Sequence, residues 1–300
     1  MKTAFIAILG CPNVGKSSIL NHLLGEKVAI VSPKPQTTRT RLMGVWTEGE
    51  RQMVFTDTPG VHRPRTKLGE HMMQAVKSGM DGVDACLFVT EADGKEPRPE
   101  ERDLLRELQL AGVPVILALN KMDLLLRKDS LARRILQFSQ PYDFAAVVPC
   151  SAKTGAQMDE LRAELQALFD QLPLDEGFFF PEDTLTDQPE RVLAAELLRE
   201  QLLRRMEQEI PHGTAVVIEK MREHPNKAGL LDIEATIFCE RESHKGMIIG
   251  KQGAALKQIA AAARLEMERF FGCRVNLQCW VKVKENWRDR EGLIRNFGLE

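Results

Sequence analysis

The sequence lacks any apolar run approaching the roughly 18 residues that a membrane-spanning helix requires, so no transmembrane segment is predicted. It also lacks a C-x-x-C pair. Its six cysteines are scattered through apolar segments, which favours buried free thiols in a reducing cytosol and argues against zinc sites and disulfides. Net charge is small as well, since 41 Lys and Arg residues stand against 43 Asp and Glu residues. The chain as a whole is therefore not a polycation.

The length of the chain and the distribution of its charges indicate its domain number and its binding partners better than the total charge does. Three hundred residues suit two domains, each large enough to bury its own core. Residues 241–284 carry nine bases against three acids. Such a local basic face suits a nucleic-acid contact of limited size, and an ordinary solvated face is the alternative.

A phosphate-binding motif follows the first apolar run of the chain. Residues 10–17 match G-x-x-x-x-G-K-[ST] directly after the run 4–9, which predicts a strand, a P-loop and a helix. Backbone N–H groups and the helix start would hold phosphate oxygens, Lys16 would contact the β- and γ-phosphates, and Ser17 would offer its hydroxyl to Mg²⁺. The predicted phosphate-binding residues are Gly10, Cys11, Pro12, Asn13, Val14, Gly15, Lys16, Ser17 and Ser18. A lipoprotein signal ending at Cys11 is a weaker interpretation, because the apolar stretch is too short.

Residues 1–172 alternate strand-like and helical patterns. Candidate strands cover residues 4–9, 52–55, 85–89, 113–119 and 145–148, and apolar residues recur at helical spacing from Met158 to Leu172. This alternation predicts an α/β domain with a mostly parallel sheet covered by helices. Ligands of such sheets bind at the carboxyl ends of the strands, so the loops there are where we expect the chemistry.

One of these loops reads Asp57-Thr58-Pro59-Gly60 and is followed by Val61. Asp57 would hold Mg²⁺ through water, and the Gly60 N–H would sense the γ-phosphate, so that loss of this phosphate releases the following segment, residues 61–77. Valine cannot orient the attacking water. We therefore expect slow hydrolysis by the isolated protein, on the order of 10⁻⁴ s⁻¹.

Two further loops predict recognition of guanine. Asn120, Lys121 and Asp123 follow one strand, and Ser151, Ala152 and Lys153 follow the last strand. The Asp123 carboxylate can accept from both N–H groups on the guanine edge, whereas adenine would leave it unpaired. The second loop would present a backbone N–H to guanine O6.

The order P-loop, D-T-P-G, N-K-M-D, S-A-K resembles that of the translation-factor-related GTPases, and an ATP-dependent kinase is the alternative. The resemblance implies a mobile switch with a Mg²⁺-binding threonine within residues 35–39. It favours Thr38, with Thr37 a near competitor, so the implied Mg²⁺ residues are Ser17, Thr38 and Asp57. It also motivates the hypothesis that Asn13 helps to hold a monovalent cation, K⁺, against the phosphates.

The second half of the chain predicts a different domain. A linker at residues 173–190, rich in proline and acids, is expected to dock its Phe178-Phe179-Phe180 on one domain. A long helix ending near Pro211 and two strands follow. A short apolar, strand-like segment at 247–249 then leads into a Gly250-Lys251-Gln252-Gly253 loop that opens a helix, and a last strand comes after this helix, so the longer elements run α-β-β-α-β. This α-β-β-α-β order resembles a K-homology (KH) RNA-binding module of the bacterial type.

In such a module the loop between the glycines clamps about four unpaired nucleotides. The implied RNA-binding residues are Ile249, Gly250, Lys251, Gln252, Gly253 and Lys257. We expect Lys251 and Lys257 to neutralise phosphates, and Ile249, Leu256 and Ile259 to support bases. Trp280 and Trp287 are interpreted as packing residues.

A GTPase domain (residues 1–172), a linker (173–190) and a KH domain (191–300) together resemble the Era family of bacterial GTPases. The resemblance implies GTP hydrolysis with GTP, GDP and Mg²⁺ at the site, and binding of the 3′ end of 16S rRNA. It also implies nucleotide-dependent assistance to assembly of the small (30S) ribosomal subunit, in the cytoplasm and with peripheral association at the inner face of the membrane. The rivals are a tRNA-modification GTPase, and a signalling switch whose GKQG loop is only structural.

Overall fold

The computed structural model describes residues 1–61, 64, 66–94, 96–207 and 210–299, apart from the Lys128 side chain. The chain forms two compact units. The first unit comprises Met1–Ala29, Thr38–Arg63 and Met72–Asp187, and the second comprises Ile30–Thr37, Pro64–His71 and Gln188–Glu300. The predicted segment 61–77 is divided between them, and its Arg63 and Arg65 lie outside the described residues.

Strands and helices alternate along the first half of the chain, as the apolar pattern predicts. The elements are β1 (Lys2–Leu9), α1 (Lys16–Leu24), β2 (Leu42–Glu48), β3 (Arg51–Asp57), α2 (Lys67–Ser78), β4 (Ala85–Glu91), α3 (Pro99–Leu110), β5 (Val115–Asn120), α4 (Lys128–Ser139), β6 (Ala146–Pro149) and α5 (Met158–Gln171). The strands form a six-stranded sheet in the order β2-β3-β1-β4-β5-β6. All neighbours are parallel except β2 and β3, so the predicted mostly parallel sheet is confirmed.

The sheet of the first unit is buried on both faces. Successive strand residues belong to opposite cores: Ile6 and Ile8 lie in one apolar cluster, and Ala7 and Leu9 lie in the other. This follows from the two-residue repeat of a strand. Burial on both faces also explains why these strands read as continuous apolar runs in the sequence.

Strand β2 is absent from the predicted strands. It pairs antiparallel with β3 at the edge of the sheet, and its residues are mostly half-buried. A glycine, Gly44, and polar residues at its end interrupt the apolar alternation, which is why the pattern did not reveal it. An added Cβ at Gly44 would lie 2.7 Å from Leu24 Cδ1, so a larger residue there would require the leucine side chains of α1 to shift.

The predicted linker lies along this edge. The Val45 N–H donates to Leu185 O at 2.9 Å, and Gly44 and Thr186 form an antiparallel bridge. The Phe179 ring lies edge-on to Phe5, with centroids 5.2 Å apart. The prediction that the linker docks its aromatics on one domain is confirmed for Phe179 alone, whose side chain is 70% exposed, and residues up to 187 belong to the first unit.

The second unit holds a three-stranded sheet covered by helices. Its elements are α6 (Glu190–Arg205), β7 (Ala215–Glu223), β8 (Leu230–Cys239), α7 (Glu242–Ile249), α8 (Ala254–Phe271), β9 (Arg274–Val283) and α9 (Glu291–Asn296). Strand β8 is central, antiparallel to β7 and parallel to β9. Its buried residues pack with Leu197 of α6 and with Ile259 and Met267 of α8 in one apolar core.

Two sequence predictions for this unit are wrong. Residues 247–249 end the helix α7 and do not form a strand, so the order is α-β-β-α-α-β, with α9 after the last strand. Three apolar residues cannot be assigned to a strand or a helix by period alone, and Ile248 is buried as the core side of a short helix. The helix α6 ends at Arg205, before the predicted Pro211.

No helix within the described residues is long and apolar enough to cross a membrane. All six cysteines are free thiols, of which Cys273 and Cys279 are half-buried and the others are buried. Burial raises the pKa of Cys11 to about 11 and that of Cys150 to about 12, so these thiols stay protonated near neutral pH and are weak nucleophiles.

Candidate functional site

The P-loop connects β1 to α1 in a conformation that only glycine permits at two positions. Gly10 has φ +145° and Gly15 has φ +100°. A Cβ at Gly10 would lie 2.1 Å from Val89 O, and one at Gly15 would lie 2.1 Å from Asn120 Nδ2. Both glycines thus allow the loop to approach neighbouring strand ends closely.

Lys16 occupies the centre of this loop. Its side chain is buried, and Nζ donates to Gly10 O at 3.1 Å and to Cys11 O at 3.2 Å. Burial lowers the pKa of Lys16, and the charge of Asp57 opposes that shift. The ammonium group is therefore held inside the curve of the loop, where the sequence predicts phosphate.

The three predicted Mg²⁺ residues lie together. Ser17 Oγ donates to Asp57 Oδ2 at 2.6 Å, and Thr38 Oγ1 lies 3.0 Å from Ser17 Oγ and 3.4 Å from Asp57 Oδ2. Burial raises the pKa of Asp57, while Lys16 and hydrogen bonds from Ser17 and Thr38 lower it. The other oxygen, Asp57 Oδ1, is buried and has no hydrogen-bond partner in the described part of the chain. This unsatisfied oxygen, on a carboxylate whose other oxygen contacts two hydroxyls, fits a hard cation such as Mg²⁺.

Thr37 lies in a different local network from Thr38. Its hydroxyl donates to Lys34 O at 2.7 Å and lies 2.8 Å from Ser32 Oγ. Thr38, which the resemblance favoured over Thr37, is the one of the two threonines that is hydrogen-bonded to Ser17 and Asp57 within the described residues.

The Asp57-Thr58-Pro59-Gly60 loop packs against the P-loop. The buried Thr58 hydroxyl donates to Ile8 O at 3.1 Å. A Cβ at Gly60 would lie 2.5 Å from Pro12 Cα, and the Val61 N–H donates to Gly10 O at 3.2 Å. This contact places Gly60 beside the predicted phosphate site.

The two predicted guanine loops are joined by Asn120 and Asp123. Asn120 Nδ2 donates to Val14 O at 2.8 Å, and its Oδ1 accepts from the Ala152 N–H at 3.0 Å. Ser151 Oγ donates to Asp123 Oδ1 at 2.6 Å, and Lys153 Nζ lies 4.0 Å from Asp123 Oδ2. Asn120 thus ties the P-loop to the last loop, and Asp123 is oriented by Ser151.

Glu91 is a residue of this site that the motif search missed. Its carboxylate pairs with Lys121 Nζ at 2.5 Å, and the next N–H, of Ala92, donates to Asn120 O at 2.7 Å. Glu91 ends β4, so its position at the carboxyl end of a parallel strand was the available signal. Glu91 belongs to no known short motif, so the motifs of the sequence do not indicate it.

The GKQG loop joins α7 to α8. Gly250 has φ 72° and ψ 178°, and a Cβ there would lie 2.7 Å from Ala255 Cβ and 3.0 Å from Ala255 N. Gly253 precedes α8 at φ 78° and has no atom within 4 Å of an added Cβ. Lys251 and Gln252 are exposed. The loop therefore presents a lysine and open backbone at a helix start.

The charges around this loop are unevenly paired. All three acids of residues 241–284 pair locally, with Lys245, Arg264 and Arg269. No ion pair found in the described part of the chain includes Lys251, Lys257, Lys282 or Lys284, and Lys251 and Lys257 are exposed. A basic surface therefore remains beside the GKQG loop.

The apolar residues near the loop differ from the prediction. Ile259 has no exposed surface and belongs to the core, so the prediction that it supports bases is wrong. The Ile259 side chain packs in the core between α8 and the sheet, whereas the Ile249 and Leu256 side chains are half-buried. Trp287 is buried and its Nε1 donates to Gly213 O at 2.9 Å, which confirms a packing role. Trp280 is 45% exposed and is not a core residue.

Comparisons with known proteins agree with this arrangement. A family described as 50S ribosome-binding GTPase matches residues 5–121, and the KH domain family matches residues 209–288. The chain is 46% identical to GTPase Era of Clostridioides difficile (strain 630) over 297 residues, which cover 99% of this chain and 98% of that protein. It is 44% identical to GTPase Era of Ruminiclostridium cellulolyticum over 300 residues, covering 100% and 98%.

Two solved structures are also similar over the full length. One is a crystal structure of Era in complex with MgGDPNP and nucleotides 1506–1542 of 16S ribosomal RNA, with a TM-score of 0.93 and 37% identity over 100% of this chain and 99% of that one. The other is a substituted variant of Aquifex aeolicus Era bound to GDP·AlF4⁻, with a TM-score of 0.93, 38% identity and the same coverage. With the nucleotide motifs on a parallel sheet and the GKQG loop on a KH domain, the chain belongs to the Era family and is a GTPase.

Proposed function

We propose that this GTPase binds the 3′ end of 16S rRNA through its KH domain and assists assembly of the small ribosomal subunit, with its nucleotide state controlling access to the RNA. The observation that carries the proposal is the exposed GKQG loop at the start of α8, beside lysines that form no ion pair with any described residue. The Era structure that contains a 16S rRNA segment supports the identity of the RNA.

The nucleotide site would act through the residues described above. The P-loop, residues 10–18, would surround the phosphates, with the Lys16 ammonium group beside their negative charge. Ser17, Thr38 and Asp57 would hold Mg²⁺, which neutralises charge on the phosphates when bound. The Gly60 N–H would respond to the γ-phosphate. Val61 offers no group that orients water, so hydrolysis without a partner would be slow.

Guanine would be selected by its hydrogen-bonding edge. Asp123, held by Ser151, would accept from the two N–H groups, and Ala152 would offer a backbone N–H to O6. Asn120 would hold the two loops together, and Lys121 would lie beside the base, with Glu91 as its partner. On the RNA side, Ile249, Gly250, Lys251, Gln252, Gly253 and Lys257 would form the contact.

Thr38 and Thr37 are distinguished by paired substitutions. We expect Thr38→Val to lower the GTP hydrolysis rate at least tenfold and to raise the Mg²⁺ concentration needed for half of the maximal rate, because the hydroxyl beside Ser17 and Asp57 is lost. Thr37→Val should change both quantities less than threefold. A larger loss in the Thr37 variant than in the Thr38 variant would contradict the assignment.

The monovalent cation is tested by changing the salt alone. Asn13 lies in the P-loop with φ 64°, and we propose that it helps to hold K⁺ against the phosphates. Hydrolysis should then be several-fold faster in K⁺ than in Na⁺ at equal ionic strength, and Asn13→Ala should remove the difference. Equal rates in the two salts would end this hypothesis.

The proposed domain boundaries are those expected from the sequence. We place the GTPase domain at residues 1–172, the linker at 173–190 and the KH domain at 191–300.

The family resemblance alone implies that the protein is cytoplasmic and associates peripherally with the inner face of the membrane. Fractionation of cells tests it, since recovery only in the soluble fraction would argue against the membrane contact.

The RNA partner is tested by recovering crosslinked RNA from cells. Protein loaded with a GTP analogue should enrich the 3′ end of 16S rRNA over the rest of that RNA. Enrichment of tRNA would instead favour the tRNA-modification rival, and recovery of no RNA would favour a signalling switch with a structural GKQG loop.

A further inference from the structure

The segment Ile30–Thr37 leaves the unit that contains the nucleotide motifs. It belongs to the compact unit that includes α6, and the chain returns to the first unit at Thr38. The segment is closed on itself by the Ser32 and Thr37 hydroxyls and by the Lys34 N–H, which donates to Ser32 Oγ at 3.1 Å. Thr38, the residue hydrogen-bonded to Ser17 and Asp57, thus directly follows a turn that belongs to the second compact unit.

Side chains of helix α6 bind the backbone of this turn at both of its ends. At the first end, the Val31 N–H donates to Glu200 Oε1 at 3.0 Å, and Val31 O accepts from Arg204 Nη2 at 3.1 Å. At the second end, Thr37 O accepts a short hydrogen bond from Arg199 Nη2. The peptide group that follows this carbonyl carries Thr38.

Two of the three side chains that make these contacts are buried charges, and the third, Arg204, is exposed. Arg199 is 2% exposed and Glu200 is fully buried. Buried charges are retained only when they are paired and hydrogen-bonded, and here Glu196 binds Arg199 through both oxygens while Arg204 pairs with Glu200 at 2.9 Å. Such a network fixes the positions of the groups that it contacts, because moving them would leave buried charges unsatisfied.

We propose that Arg199 and Glu200 are positioning residues for GTP hydrolysis, which hold the turn of residues 31–37 so that the Thr38 hydroxyl reaches the Mg²⁺ site. The inference rests on the proposed function, because it presumes that Ser17, Thr38 and Asp57 hold Mg²⁺ with GTP. It assigns a role in the GTPase reaction to a helix of the KH half of the chain.

The test compares hydrolysis by the full chain and by α6 variants. We expect Arg199→Met and Glu200→Ala each to lower kcat about tenfold and to raise the Mg²⁺ concentration for half-maximal hydrolysis, with affinity for GDP unchanged. Arg199→Lys keeps one donor for Thr37 O and should recover part of the rate. Arg205→Met is the matched control, since Arg205 lies on the same helix, is exposed and bonds Gln201.

The outcomes separate this inference from the proposed function. If Arg199→Met, or Glu200→Ala where the first variant fails to fold, matches the parent in kcat and in Mg²⁺ dependence, the inference is overturned. A parallel loss of GDP affinity and melting temperature would also overturn it, since that result reports general destabilisation. If the parent itself shows no Mg²⁺-dependent hydrolysis, or Thr38→Val is as active as the parent, the proposed site fails before the inference does.

Discussion

Replacing Asp123 by asparagine is expected to lower affinity for GTP about a thousandfold and to create affinity for xanthosine triphosphate. The carboxylate would accept two charge-assisted hydrogen bonds from guanine, each contributing about 1.5–3 kcal/mol. An amide can accept from N1–H but presents a donor toward the 2-amino group. Xanthine carries a carbonyl at that place, so the amide donor then has a partner. Ser151 Oγ, 2.6 Å from Asp123 Oδ1, would hold the asparagine in the same orientation.

Titration with fluorescent analogues of the two nucleotides measures this exchange. The gain of xanthine nucleotide binding is the informative part, because an unfolded variant cannot acquire it. Asp103→Asn, on the exposed side of α3, changes the same charge away from the site and should leave both affinities unchanged. A variant at Asp123 that still binds GTP like the parent would contradict the assignment of the guanine site.

Gly253→Asp is expected to weaken binding of single-stranded RNA about a hundredfold while the GTPase activity stays at the parental level. The residue has φ 78° and open space around an added Cβ, and aspartate tolerates this left-handed conformation better than most residues. The fold should therefore survive. The new carboxylate would stand where the sugar-phosphate backbone must approach closely, and phosphate contacts dominate such affinity.

Gly272→Asp is a matched control, because it adds the same negative charge at a backbone position that is also left-handed. Gly272 ends the same helix α8 at φ 64°, also with no atom within 4 Å of an added Cβ. It should retain RNA binding. Filter binding with a short single-stranded RNA measures both variants, and an equal loss in the two would mean that net charge, not the GKQG loop, governs binding. Gly253→Asn, neutral and of the same size, separates repulsion from blockage.

The strands of the first unit were predictable because burial on both faces leaves continuous apolar runs, and the loops at their ends carry short motifs with a fixed order. The sheet brings Ser17, Thr38 and Asp57 together, but the distances among them could not be obtained from the sequence. The preference for Thr38 over Thr37 therefore rested on the family resemblance alone. Distances between loops depend on how strand ends are aligned, and no local pattern reports that alignment.

The sequence did not predict the elements whose structure depends on tertiary packing more than on local pattern. Strand β2 is an edge strand interrupted by Gly44, so its alternation is weak. Ile248 sits in an apolar run of three that suits either a strand or a helix, and α7 was decided by packing on the sheet. No sequence pattern indicated burial of the charged residues Arg199 and Glu200, because the backbone groups that they bind belong to a segment far away in the sequence.

The most direct measurement is the affinity of the full-length protein for a fragment of the 16S rRNA 3′ end, with GDP and with a non-hydrolysable GTP analogue at saturating Mg²⁺. The proposed function predicts tighter binding with the analogue, a preference over a scrambled fragment of equal length, and loss of both in Gly253→Asp. Equal affinity in the two nucleotide states would contradict control of RNA binding by GTP. Equal affinity for the scrambled fragment would contradict recognition of the rRNA itself.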